Sequence, residues 1–521
     1  MSLSKYDRPK TVSKASKNPK DKRVRAKLKR LDDSYKNAVK EAQNTEILLQ
    51  ESAGLMETET EMEKTFKVTQ KDIKDSVDES MNRKAIDLKL TEYGPYVFDY
   101  SRNGRSLLLG GRKGHVASMD WQYGKLHCEL HLNETVNAVK HLHNDQFFAV
   151  AQKKYTFIYD KLGTELHRLK QHIEVKHLEF LPYHYLLATA GNTGFLKYQD
   201  VSTGVLISEL RTKMGPTISM KQNPWNAVVH LGHSNGQVSL WSPTMSKPLV
   251  KILNSRGSVK SIAIDRTGNY MACTSTDRTL KVWDIRMFKE LNYRSLPTPG
   301  LSCDISDTNL LSVSFGPHIN IYKDIFTNDH KDVKLYMHHL NAGSKVEMNK
   351  FIPFEDILSF GHENGVKNII VPGSGEANFD SLEINPFESA KQRQESEVRT
   401  LVNKLKPDMI TLDPNVIGTI DKRANTTRLT AKDLAELTNK QREVGANDVK
   451  MDILPKVKGK NSSLRRHLRK KSKNVIDERK MRVESNLKRE KELRAKIHAK
   501  KNGTFKDEEN DLLNPALSRF G

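Results

Sequence analysis

Two histidines four residues apart, His127 and His131 in "HCELH", are the most ligand-like pair in the sequence. On a helix they would share a face and could grip one zinc ion. The segment reads as a strand, where they lie about 13 Å apart, too far for a single metal. The three cysteines, Cys128, Cys273 and Cys303, are far apart. That spacing excludes a disulfide framework and a cysteine-rich zinc site, and fits a reducing compartment. The run "VPGSGEANFD" from Val371 has the glycines of a phosphate loop but not its lysine or its second spacing, so it reads as a turn leaving a strand. Carboxylates are plentiful, yet no helix or loop groups them into an acid and base pair. No catalytic residue, metal, cofactor or small-molecule substrate is therefore expected.

What remains is the chemistry of cations against phosphate. The chain has 521 residues and a formal net charge of +22. Positions 1–30 hold twelve Lys or Arg against two acidic residues, and positions 456–501 hold nineteen against five. These two segments carry the whole excess, and the centre is almost neutral. Guanidinium forks and ammonium point charges neutralise a phosphate backbone without reading bases. The candidate RNA contacts are Lys22, Arg23, Arg25, Lys27, Lys29 and Arg30 near the start, with Lys458, Lys460, Arg465, Arg466, Arg469, Lys470, Lys471 and Lys473 in the tail. The tail has no aromatic residue, so shape or backbone recognition is expected rather than base stacking. The same clusters would also serve as nuclear import signals. No run of about 18 apolar residues occurs, and the first twenty positions lack the apolar core of a secretory signal, so no membrane partner is expected.

The elements that must position these residues follow from an internal repeat. Strand ends recur at Asp120, Asp160, Asp200, Ser242, Asp284, Lys323 and Val371, a step of about forty residues. Each is preceded by a turn ("GRKG", "AQKK", "GNTG", "HSNG", "STDR", "FGPH", "HENG"), and each turn by an apolar run. Two coupled periodic features repeated seven times predict an all-β fold, a seven-bladed β-propeller over residues 91–382. Within it Asp277 is expected to hold a turn and Trp283, beside Asp284, to fill the gap between sheets. Trp241 stands at the matching position of the fourth repeat.

Flanking segments read as helices. Val24, Leu28, Leu31, Tyr35, Ala38, Ala42 and Leu49 form an apolar stripe on a basic background. A second helix starts at Thr69 with Asp72 as box partner, then shows Ile73, Val77, Met81 and Leu88 on one side. Beyond the propeller, Asn385 is expected as a cap, with Pro386 in the first turn, Glu388 as box partner and Pro407 as stop. Another helix is expected at "TAKDLAELTNKQRE", with Thr430 and Asp433 as its box. The expected division is a basic, helical N-terminal arm (1–90), the propeller (91–382), a helical extension (383–455) and a basic tail (456–521). Alone, that tail is too polar to hold a core and should be disordered or fluctuating helix.

The ending "KVWD" resembles the signature of WD-repeat proteins. In that family a Gly-His pair precedes the first strand, whereas here Gly114–His115, Gly232–His233 and Gly361–His362 fall at hairpin turns. These histidines are expected as turn residues, and the family's buried His, Ser/Thr, Asp and Trp network is not expected in most blades. The stretch Phe351 to Gly418, above all "VPGSGEANFDSLEINPFE", closely resembles the C-terminal signature of a nucleolar WD-repeat family of the U3 small nucleolar ribonucleoprotein and small-subunit processome. That resemblance implies a non-catalytic scaffold in small-subunit ribosomal RNA processing. Its implied partners are pre-ribosomal RNA, U3 small nucleolar RNA and other WD-repeat subunits. The alternative is a nuclear chromatin or ubiquitin-ligase adaptor whose propeller binds peptides.

Overall fold

The structure is a computed structural model that describes residues 21–45, 54–60, 62–326, 333–380, 383–414 and 478–502. Its strands form seven antiparallel sheets of four strands each. Six sheets are built from consecutive strands, from the inside outward, so short hairpins set the connectivity. The seventh closes the ring: Asp87–Lys89, which precedes the first complete blade, pairs with Gly365–Ile370 as the outer strand of the last, Leu88 opposite Val366. The fold is a seven-bladed propeller.

The third strands end at Asp120, Asp160, Asp200, Trp241, Asp284, Lys323 and Ile370. The repeat thus located these strands, running one residue long in the fourth and seventh blades. Six of the seven turns before them contain a residue at positive φ: Gly114, Gly194, Gly236, Arg278, Gly316 and Gly365. The second-blade turn at Lys153 and Lys154 does without one.

Burial grades outward across each blade. Second strands such as Ser106–Gly111, Leu186–Gly191 and Ile357–His362 are buried at every residue, whereas the outer strand Glu165–Ile173 is mostly exposed. Neighbouring sheets approach closely enough that a Cβ on Gly361 would lie 2.3 Å from the Tyr96 carbonyl oxygen of the next blade. Only glycine fits there. Trp241 is fully buried, and its Nε1 donates to Ser239 Oγ at 2.8 Å. Trp283 packs against the core of the fourth blade and donates from Nε1 to Asn254 Oδ1 at 2.8 Å, so it lies between blades four and five. Asp277 accepts from the backbone N–H of Gly257 and ties its turn to the crossover between blades. Asp284 accepts from the backbone N–H of Arg286 at 2.8 Å and shapes the turn after its strand.

The histidines correct the sequence reading. His115, His233 and His362 border the turns but belong to strands and are buried, not turn residues. Buried polar networks do form, with altered membership. From the outer strand of the second blade His172 reaches Thr189 Oγ1 at 2.7 Å and Gln199 Oε1 at 2.9 Å in the third, glutamine standing where "KVWD" has tryptophan. In the fourth, Ser239 Oγ joins His233 Nε2 at 2.6 Å to Trp241.

The segments beside the propeller also differ in detail. Helix α1 (Lys22–Thr45) buries no residue; Leu49 lies outside the described residues. The helix expected from Thr69 is two short ones, α2 (Gln70–Ser76) and α3 (Glu79–Lys84), broken at Val77, whose backbone is extended. The Thr69–Asp72 box is present, Ile73 is buried, and Leu88 lies in the closing strand instead of a helix. A continuous helix loses here because the last blade needs a fourth strand. Gln70 imitates one at the blade end: its side chain donates to the Ile370 carbonyl at 2.8 Å and accepts from the Ile370 N–H at 3.0 Å.

After the last blade, helix α4 (Ala390–Val402) is capped by Ser389 in a box with Gln392. Asn385 instead caps a turn, accepting from Phe387 N–H at 2.9 Å, and Pro407 opens a short 3-10 turn beyond the helix. The Thr430–Asp433 helix lies outside the described residues. Residues 422–521 form a separate unit, in which helix α5 spans Glu478–Lys501.

Candidate nucleic-acid and protein interface

The innermost strands hold a feature that sequence reasoning missed. At one equivalent position, fixed by pairing to the second strand, the blades carry in order Asp99, Lys140, Glu179, Lys221, Ala263, Asp304 and Lys350. Around the central channel the charges alternate in sign, with one neutral gap at Ala263. Lys140 Nζ lies 3.5 Å from Asp99 and 3.0 Å from Glu179. Lys350 reaches Asp99 at 2.5 Å, and Lys221 reaches Asp304 at 3.5 Å. Asp99 also accepts from His141 N–H at 3.0 Å, and Asp304 from Phe351 N–H at 2.9 Å.

Burial alone would raise the Asp99 carboxyl, but Lys140 and Lys350 outweigh it and hold the group well below the usual carboxylate range. Burial would likewise lower Lys140, yet Asp99 and Glu179 keep its ammonium above its ordinary value. Asp99 and Lys140 thus favour their charged forms, whereas burial outweighs Asp99 at Lys350 and lowers it; three acids against three bases make the ring formally neutral. It stitches first strands together across blade boundaries.

The channel opens at the face made by the loops from first to second and from third to fourth strands. A cavity of about 1370 Å³ lies there, lined by ring members and by Arg266, Glu376 and Glu383. The chain after the last blade crosses this face as a strap. Glu376 pairs with Arg266, and Tyr183 OH donates to Glu383. One side of α4 faces the propeller: Arg393 meets Asp145 at 3.1 Å, Glu397 meets His143 at 2.9 Å, and Thr400 meets Tyr185 OH at 2.5 Å. Lys404 pairs with Asp200 at 2.5 Å, and Ile410 is buried in the core of the fourth blade, its carbonyl accepting from Ser242 at 2.9 Å.

Of the candidate RNA contacts, Lys22, Arg23, Arg25, Lys27, Lys29 and Arg30 all lie on α1 and are exposed. One helix brings these six together on a surface that buries nothing. Lys458, Lys460, Arg465, Arg466, Arg469, Lys470, Lys471 and Lys473 lie outside the described residues. Helix α5, just beyond them, exposes Lys488, Arg489, Lys491 and Arg494. His127 and His131 share the outer strand Lys125–His131, and among the described residues no group of three His, Cys, Asp or Glu could hold a metal. The three cysteines are buried and free.

Comparison with known proteins agrees with this architecture. The WD domain, G-beta repeat, matches residues 247–284, and the BING4CT (NUC141) domain matches residues 335–413. The second match is no separate body: it begins in the outer strand of the sixth blade, takes in most of the seventh and ends with the strap. The chain is 58% identical to U3 small nucleolar RNA-associated protein 7 of Saccharomyces cerevisiae, over 99% of this chain and 97% of that one. It is 43% identical to WD repeat-containing protein 46 of Homo sapiens, over 79% of this chain and 67% of that one. The Caenorhabditis elegans protein of the same name is 42% identical, over 76% and 68%. No enzyme family is among these matches. The chain belongs to the family of U3 small nucleolar RNA-associated protein 7 and WD repeat-containing protein 46.

Proposed function

We propose that this protein is a non-catalytic scaffold of the small-subunit processome, acting in the nucleolus on precursor ribosomal RNA. In this reading the basic arms hold pre-ribosomal or U3 small nucleolar RNA by its phosphates, and the propeller with its strap presents surfaces to other WD-repeat subunits. The observation that carries the proposal is the end-to-end match to a yeast protein named for association with U3 small nucleolar RNA, which takes in both basic arms as well as the propeller. The charge distribution supports it. The excess positive charge lies in the termini, and cationic termini release counterions from a polyanion.

Truncation before Lys456 tests the proposal. The shortened protein should keep the parent's melting temperature and lose most of its co-sedimentation with large precursor particles. Unchanged co-sedimentation would contradict the assignment of RNA contact to the tail. Nuclease treatment of a native pull-down separates this function from a peptide-reading adaptor, whose partners would stay bound.

A further inference from the structure

The two faces of the propeller treat their cations differently. On the strap face about half are matched to carboxylates: Arg105 with Asp120 at 3.0 Å, Lys161 with Asp145 at 2.5 Å, Lys84 with Glu355 at 2.7 Å, besides the strap pairs. Lys125, Lys247, Lys289 and Lys334 have no ion pair there and are scattered in four different blades, and Lys391, Arg399 and Lys406 on the strap are likewise exposed without one among the described residues. The other face is made by the turns between second and third strands and by the crossovers between blades. From blade two to blade five it exposes Lys153, Lys154, Lys176, Lys213, Arg256 and Arg278. None of the six forms an ion pair among the described residues.

Backbone bonds join these loops into one surface. Glu174 N–H donates to the Lys154 carbonyl at 3.0 Å, and Asn192 N–H to the Glu174 carbonyl at 3.3 Å, linking turn, crossover and next turn. Leu296 N–H donates to the Arg278 carbonyl at 2.7 Å. The acids on this arc are few. Asp277 is engaged by the Gly257 N–H, and Glu174 stands alone between Lys154 and Lys176. At the blade-two rim, Lys154 and Arg168 lie over the Tyr155 ring at 5.2 and 5.4 Å. Such contacts hold a cation in place without neutralising it.

We propose that this face of blades two to five is a second RNA-binding surface that engages phosphate backbone, distinct from the terminal arms. The inference rests on the reading that the protein works on RNA. The cations do not converge on a pocket, as a short acidic peptide would require. They follow an arc, one or two to a blade, which suits a linear polyanion.

The test uses the full chain and a fluorescein-labelled RNA with a hairpin and single-stranded flanks, titrated from about 50 to about 200 mM salt. The combined variant K153Q, K154Q, K176Q and R256Q should bind about tenfold more weakly, with a salt slope smaller by about 3. Its melting temperature should match the parent's, since all four side chains are exposed. The control K125Q, K247Q, K289Q and K334Q removes the same charge from the strap side and should bind within about twofold of the parent. A third variant carries glutamine at the six α1 cations. Should the face variant bind with parental affinity and slope while the α1 variant weakens, the face is overturned and the arm reading stands. Should the face variant alone weaken, the face stands and the α1 contact falls. A face variant that loses polyglutamate but keeps RNA overturns the proposal in favour of an acidic protein, and a parent chain that binds no RNA overturns both.

Discussion

The propeller channel and helix α1 handle charge in opposite ways. In the channel, Asp99 is almost fully buried and answers to Lys140 and Lys350 from the blades on either side. On α1, Lys22 to Arg30 project from a helix that buries nothing. The first arrangement is complete within the chain, so it gives the disc its shape and leaves no net charge to attract a partner. The second leaves six cations exposed on one helix. A high formal charge therefore says little about function until it is divided by place.

Four experiments sharpen that contrast. Removing one channel carboxylate should have the largest effect on stability. Asp99→Ala leaves the buried Lys350 without its carboxylate and Lys140 with Glu179 alone, and should cost about 3–5 kcal/mol, read from denaturant unfolding. A loss below about 1 kcal/mol would mean that water enters the ring and screens it. Trp241→Ala, which empties a fully buried site and frees Ser239, should cost about 3–5 kcal/mol by cavity formation.

Acid probes the same interior. Burial pushes His141, His184 and His233 down to about 4 and His230 to about 3. A histidine kept neutral in the fold binds protons more readily once unfolded. Its contribution is therefore intact above the unfolded value near 6.5 and is lost as pH falls toward 4. At pH 5 each should cost about 2 kcal/mol relative to neutral pH. His230→Leu should flatten the fall in melting temperature between about pH 7 and 5, and an unchanged profile would remove His230 from the account.

The smallest effect on stability should come from the arm. Glutamine at the six α1 cations should move the unfolding free energy by less than about 0.5 kcal/mol. RNA affinity, by contrast, should fall with a salt slope reduced by about 4. A destabilised disc would show that α1 packs where it is described as bare.

Most of the propeller was legible because a hairpin turn and a strand end must recur together if each blade is to repeat. The closing strand Asp87–Lys89 was not, since three residues carry no periodic signal and only the unpaired edge of the last blade calls for them. The N-cap moved from Asn385 to Ser389 for a related reason. Both residue types cap well, and the choice follows from placing Arg393, Glu397 and Thr400 on the side of α4 that meets Asp145, His143 and Tyr185. The charged ring was hidden in plain view. In "YVFDY", "VNAVKH" and "TISMKQ" a lone charge in an apolar strand reads as noise, and it becomes a column only when the first strands of all blades are aligned by register. The basic helix needed no such alignment, because composition alone marks a surface that cannot be core.

Crosslinking of RNA to protein in intact precursor particles tests the division of labour most directly. The account predicts adducts between residues 17 and 30 and between 456 and 501, with a second set at Lys153, Lys154 and Arg256. Adducts confined to the strap face, with both arms untouched, would contradict it.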